Sequence, residues 1–101
     1  MSEEKLKVDK LRMLDVEVSA EVMGLRLAWY AVRFYSIDID AAWAMEEEIQ
    51  RRGLVAEYGS FLIGLVPRGD ITTNAFAMAH ASPEMRCRAA LLTVRAAPSP
   101  R

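Results

Sequence analysis

The chain has 101 residues, room for one domain with one core, and 52% of them are hydrophobic, which excludes disorder over most of its length. Its net charge is −1 and its pI about 5.8, which argues against a broad electrostatic grip on DNA or RNA and leaves only a local basic patch open. So much apolar material in a short chain predicts burial against a second subunit, because a small core covers apolar surface inefficiently.

The opening "MSEEKLKVDK" alternates acid and base and lacks the apolar stretch of a signal peptide. Residues 1–8 are expected to be flexible, with a single domain over 9–95 and a flexible tail over 96–101. From Asp9, apolar residues fall at Leu11, Leu14, Val18 and Val22, the stripe of an amphipathic helix. Gly24 is placed to end it in a left-handed conformation. "LRLAWYAVRFYS" then sets Leu25, Leu27 and Trp29 against Arg26, Ala28 and Tyr30, the period of a half-buried strand.

"YSIDIDAAWAMEEEIQRRG" (35–53) reads as a helix. Ser36 is the expected N-cap, Asp38 and Asp40 lie near the positive end of the dipole, and Arg51 and Arg52 near the negative end. Ile39, Ala42, Trp43, Met45 and Ile49 form the expected inward face and Gly53 the stop. Glu47 and Arg51 are i, i+4 partners. Glu46, Glu47 and Glu48 sit mostly outside the apolar stripe, as the solvated side of the helix.

"LVAEY" and "FLIGLV", joined by Gly59-Ser60, read as a tight hairpin. "PRGD" reads as a turn and "ITTNAFAMAHA" (71–81) as a third strand, with alanines at 75, 77, 79 and 81 on one side. "SPE" (82–84) opens a last helix with an N-cap Ser and an N1 Pro, and Cys87, Ala90, Leu91 and Val94 carry its stripe. The expected fold is α+β, a three-layer α-β-α sandwich with an antiparallel sheet of three or four strands and helices packed on it. Its open sheet edge would invite pairing with a second copy.

Catalytic chemistry is poorly provided for. His80 and Cys87 are the sole residues of their kinds, and Cys87 falls on an inward stripe where a thiol behaves as a small hydrophobe. One His and one Cys make no structural zinc site within the chain, and no glycine-rich phosphate loop is present, so neither metal nor cofactor is expected. A single cysteine forms no intrachain disulfide and suits a reducing cytoplasm. No apolar run approaches the roughly 20 residues of a membrane span.

What remains is binding chemistry. All three lysines lie at 5, 7 and 10 and every later cation is arginine, a residue suited to carboxylates and phosphates, although a G+C-rich coding sequence gives the same bias. Trp29, Tyr30, Arg33, Tyr35 and Ser36, with Phe34 among them, gather rings, a guanidinium and an expected helix start. That set suits either a planar anion such as a nucleotide or plain core and interface packing.

Three stretches together, "AEVMG" (20–24), "YSIDIDAAWAMEEEIQRRG" (35–53) and "ASPEMRCRAALLTV" (81–94), resemble the phage ABA sandwich domain family. Its members pair a "VMG" helix end with a "YSTDIAAAW" helix and a closing "TAPEAICRAAL" helix. The resemblance covers residues 18–95 and departs from the family between Gly24 and Tyr35. It implies a layered α-β-α fold in a small phage or prophage protein of the host cytoplasm, and brings no catalytic residues with it. The expected function is that of a non-enzymatic phage accessory protein, a homo-oligomeric module that counters a host defence by sequestering a nucleotide-like signal or a host protein. The alternative is a structural or regulatory protein-interaction domain without a small ligand.

Overall fold

The first helix, α1, spans Glu3–Glu17 and widens at its end into a π turn, Val18–Val22. The structure, a computed structural model, describes residues 3–67 and 69–97. α1 therefore begins inside the segment expected to be flexible, and its residues up to Lys10 are exposed. Leu14, Val18 and Val22 are buried, as their spacing predicts. The π turn closes with the Met23 N–H donating to the Val18 carbonyl at 3.0 Å, and Gly24 follows at φ +71°.

The described residues contain no strand. The α+β expectation, with its three-layer sandwich and antiparallel sheet, is overturned, as is the sandwich architecture that the family resemblance implied. Five α-helices take its place: α1, α2 (Ile39–Arg51), α3 (Val55–Leu65), α4 (Ile71–Ala79) and α5 (Pro83–Ala96). α5 is the hub, packing against α1, the π turn, α2 and α3. The whole is a slab with extents of 41 × 40 × 21 Å, its shortest about two helices thick.

Each missing strand has a physical reason. In 25–36 the residues up to Tyr30 alternate in polarity, yet Leu25, Leu27, Trp29 and Tyr30 are all exposed, so there is no apolar face to pair over. The segment is a loop containing one 3-10 turn, Trp29–Ala31. In 54–66 the apolar run at 61–66 masks a four-residue period: Tyr58, Leu62 and Val66 are the buried positions. Gly59-Ser60 is not a turn but the middle of α3, where the Ser60 hydroxyl donates to the Ala56 carbonyl at 3.1 Å. In 71–81 the alanines favour helix over strand. Asp70 caps α4, its carboxylate accepting the Thr73 N–H at 2.7 Å.

Both helices predicted from capping residues are present, but only α5 uses the predicted cap. Ser82 caps α5, accepting the Met85 N–H at 3.1 Å, with Pro83 next, and Cys87, Ala90 and Leu91 are buried. α2 ends at Gly53, φ +74°. Its cap is Asp38, which accepts the Asp40 N–H at 3.0 Å, and not Ser36. Its buried face is Ala41, Ala42, Met45 and Ile49; Trp43, expected inward, lies across the helix from Ala41 and Met45 and is exposed.

Candidate functional site

The loop between Gly24 and α2 carries the aromatic and arginine cluster, and one side chain of α1 fixes its shape. Arg12 Nη1 donates to Asp15 Oδ2 at 2.9 Å and to the Arg33 carbonyl at 3.4 Å, while Nη2 donates to the carbonyls of Trp29 and of Val32, the latter at 3.1 Å. The guanidinium also lies 4.2 Å from the centroid of the Phe34 ring. On its other oxygen Asp15 accepts the Ser36 N–H at 2.8 Å, and the Ser36 hydroxyl donates to the Leu11 carbonyl at 3.3 Å. A loop with no ladder of its own is thus held by α1 at four of its backbone groups and at the Ser36 hydroxyl.

That arrangement splits the predicted set. Tyr35 and Ser36 are 1% and 3% exposed and belong to the core and the clamp. Burial pushes the Tyr35 phenol pKa up. Trp29 and Tyr30 are 70% and 76% exposed, with rings packed edge to face at 6.0 Å between centroids. Arg33 is also exposed, its guanidinium 5.9 Å from the Tyr35 ring centroid. No helix starts at Ser36, so the helix N-terminus proposed to hold an anion beside these rings is displaced to Asp38, whose own carboxylate occupies it.

Beside Trp29 runs a groove of about 430 Å³, lined by Asp9, Arg12, Met13, Val16, Glu17 and Trp29. Asp9, Met13 and Val16 follow one another at i, i+4 and i+7, so one stripe of α1 forms its floor. Met13 and Val16 had drawn no attention in the sequence because they lie on the face of α1 opposite the Leu14–Val18–Val22 stripe. A helix with apolar residues on two faces was the available signal.

A second polar cluster was missed altogether. Arg86, buried on α5, donates from Nη1 to Glu46 Oε2 at 2.8 Å, from Nε to the Ala81 carbonyl at 3.0 Å and from Nη2 to the Ala79 carbonyl at 3.0 Å. The Tyr58 hydroxyl donates to the same Glu46 oxygen. Glu46, expected on the solvated side, instead ties α2 to α3 and α5, and Arg86 caps the C-terminus of α4. Tyr58 is pushed up by burial and by the Glu46 carboxylate. Glu48 pairs with Arg51 and Arg52, replacing the expected Glu47–Arg51 pair.

Cys87 is fully buried, and desolvation, with Asp15 and Glu46 adding to it, pushes its thiol up to about 12. At neutral pH it is a thiol without access to substrate. His80 is exposed and stacked on Phe76 at 4.2 Å. Among the described residues no group of three or more His, Cys, Asp or Glu is arranged to hold a metal, and no helix is long and apolar enough to cross a membrane. No protein-family model, curated protein or solved structure matches the chain.

Proposed function

We propose that the chain is a non-enzymatic binding module whose working surface is the groove between α1 and Trp29. The observation that carries this reading is the Arg12–Asp15 clamp, which holds an exposed Trp-Tyr pair on a loop already fixed at its carbonyls. Exposed aromatics on a pre-organised backbone are the usual anchors of an interface, because little conformational entropy remains to be lost on binding.

The lining argues for the class of ligand. Its lining joins Met13, Val16 and Trp29 to the carboxylates of Asp9 and Glu17, while the Arg12 guanidinium is already committed to Asp15 and three carbonyls. A phosphate-bearing nucleotide would meet two carboxylates there. An amphipathic protein segment with an apolar ridge and flanking Lys or Arg fits better, so the protein-interaction reading is preferred over capture of a nucleotide-like signal. A phage accessory role, with a host defence protein as the partner class, rests on the sequence resemblance of residues 18–95 alone, since the fold that the resemblance implied is not the one found.

Replacing Met13 with a photo-reactive phenylalanine analogue tests this in bacterial cells. A discrete crosslinked polypeptide, lost when Trp29→Ala is added, is the expected result. Retention of a nucleotide in equilibrium dialysis, with no polypeptide crosslinked, would overturn it in favour of a small ligand.

A further inference from the structure

Val66 and Ala81 are buried, and none of the described residues between them is. That stretch holds the whole of α4, nine residues, "ITTNAFAMA". Helices this short are marginal in water and draw their stability from tertiary packing. α4 carries no charged residue, so no i, i+4 ion pair supports it. It packs along α3 through half-buried Asn74, Ala77 and Met78. Two side chains hold its ends. Asp70 accepts the Thr73 N–H at 2.7 Å at the start; at the finish Arg86 Nη2 donates to the Met78 carbonyl at 3.5 Å and to the Ala79 carbonyl at 3.0 Å.

We infer that α4 is a strap that opens by itself while the other four α-helices stay folded, with Arg86 as its latch. The bonding of Arg86 makes that opening separable. Its Nη1 remains on Glu46 Oε2 at 2.8 Å, its Nε remains on the Ala81 carbonyl at 3.0 Å, and the Tyr58 hydroxyl remains on Glu46. Only Nη2 changes partners, from two carbonyls to water, so no buried charge is stranded. Segments with few buried apolar contacts sit at the low end of the range of local stabilities, and α4 meets that criterion between its two buried anchors. α5, by contrast, buries Cys87, Ala89, Ala90 and Leu91, so its inner amides are exposed by global unfolding. Opening lifts Ala77 and Met78 off α3 and turns the Nη2 edge of the guanidinium outward.

The inference stands apart from the groove on α1. Native-state hydrogen exchange on the full chain, followed through sub-denaturing urea, tests it. Protection factors over residues 74–80 should lie at least about tenfold below those over residues 89–94, and should depend less on urea. Ile49→Val weakens the core that both closed and open states share. It should speed exchange in α5 about fivefold and leave α4 unchanged. Arg86→Lys keeps a charge for Glu46 but loses the guanidinium fork, and should speed exchange in α4 about fivefold. Equal protection with equal urea dependence in the two helices, or an Ile49→Val that speeds both alike, would overturn the strap. An Arg86→Lys chain with α4 exchange unchanged would overturn the latch. Should that variant fail to fold, the Ile49→Val comparison decides.

Discussion

Asp15 and Ser36 lie 21 residues apart, yet the buried Asp15 carboxylate accepts the Ser36 backbone N–H at 2.8 Å. Its second oxygen takes Arg12 at 2.9 Å, so one side chain on α1 anchors both the end of the aromatic loop and the arginine that grips the loop's middle. The contact turns the connection over residues 23–37, between the π turn and Asp38, into a fixed platform for Trp29 and Tyr30; its one 3-10 turn is Trp29–Ala31.

Asp15→Ala is therefore expected to do more than remove one hydrogen bond. It leaves the Ser36 N–H unpartnered in a buried position and the Arg12 guanidinium without its counter-charge. Losing one side of a buried, hydrogen-bonded charge pair costs about 3 kcal/mol. Urea unfolding should show that loss, and Trp29 should become more mobile by time-resolved anisotropy in a Trp43→Phe background. Asp15→Asn keeps an acceptor and should recover part of the stability.

How much of this was legible beforehand follows from which forces act locally. Caps are local, so Ser82-Pro83 and the Gly53 stop could be read directly. The α3–α4 region could not, because a continuous apolar run such as "FLIGLV" fits strand and helix alike, and Gly59-Ser60 resembles a turn unless Tyr58, Leu62 and Val66 are seen as one stripe. The loop cluster was found as a set of residues, but its anchor was not. Asp15 lies four residues after Leu11 on the inward side of α1, and Arg86 four before Ala90 on that of α5. A charge on a buried stripe is a sign of a partner across the fold, and sequence spacing does not say which partner.

Arg86→Leu should test the second cluster. It would strand the Glu46 carboxylate and release the α4 carbonyls, with an expected loss of about 3 kcal/mol. Tyr58→Phe removes only the hydroxyl while Arg86 still pairs Glu46, and should cost about 1 kcal/mol. Thermal unfolding of the two variants should rank them in that order. Similar losses would mean that the hydroxyl, and not the ion pair, holds the junction.

Alkaline pH should unfold the protein earlier than surface charge alone would. Cys87 and Tyr58 both have folded-state pKa values above their ordinary ones, chiefly through desolvation. Their stabilising contribution is complete below the unfolded values, about 8.5 for the thiol and about 10 for the phenol, and declines as pH rises beyond them. For Cys87 the loss runs up to its folded value of about 12. Each group adds up to about 1.4 kcal/mol per pH unit within its window. Denaturant midpoints measured from neutral to strongly alkaline pH should flatten first between the two unfolded values in Cys87→Ala. An unchanged profile would show that the thiol is not protected.

A glycine series separates the helical architecture from a sheet most directly. Gly59 and Gly64 lie inside α3, neither with positive φ; a Cβ at Gly64 meets nothing within 4 Å, and one at Gly59 meets Met78 Cε at 3.8 Å, an ordinary contact. Alanine lowers the entropy of the unfolded chain and raises helix propensity, so each change should stabilise by about 0.5–1 kcal/mol. In a hairpin, by contrast, Gly59 would occupy the tight turn and Ala would destabilise it. Gly53→Ala is the control, because φ +74° there strains any side chain although space is free, and it should cost about 1 kcal/mol. Denaturant midpoints that rise for Gly59→Ala and Gly64→Ala and fall for Gly53→Ala place residues 55–65 in a helix; a fall for Gly59→Ala would put the chain reversal at that residue.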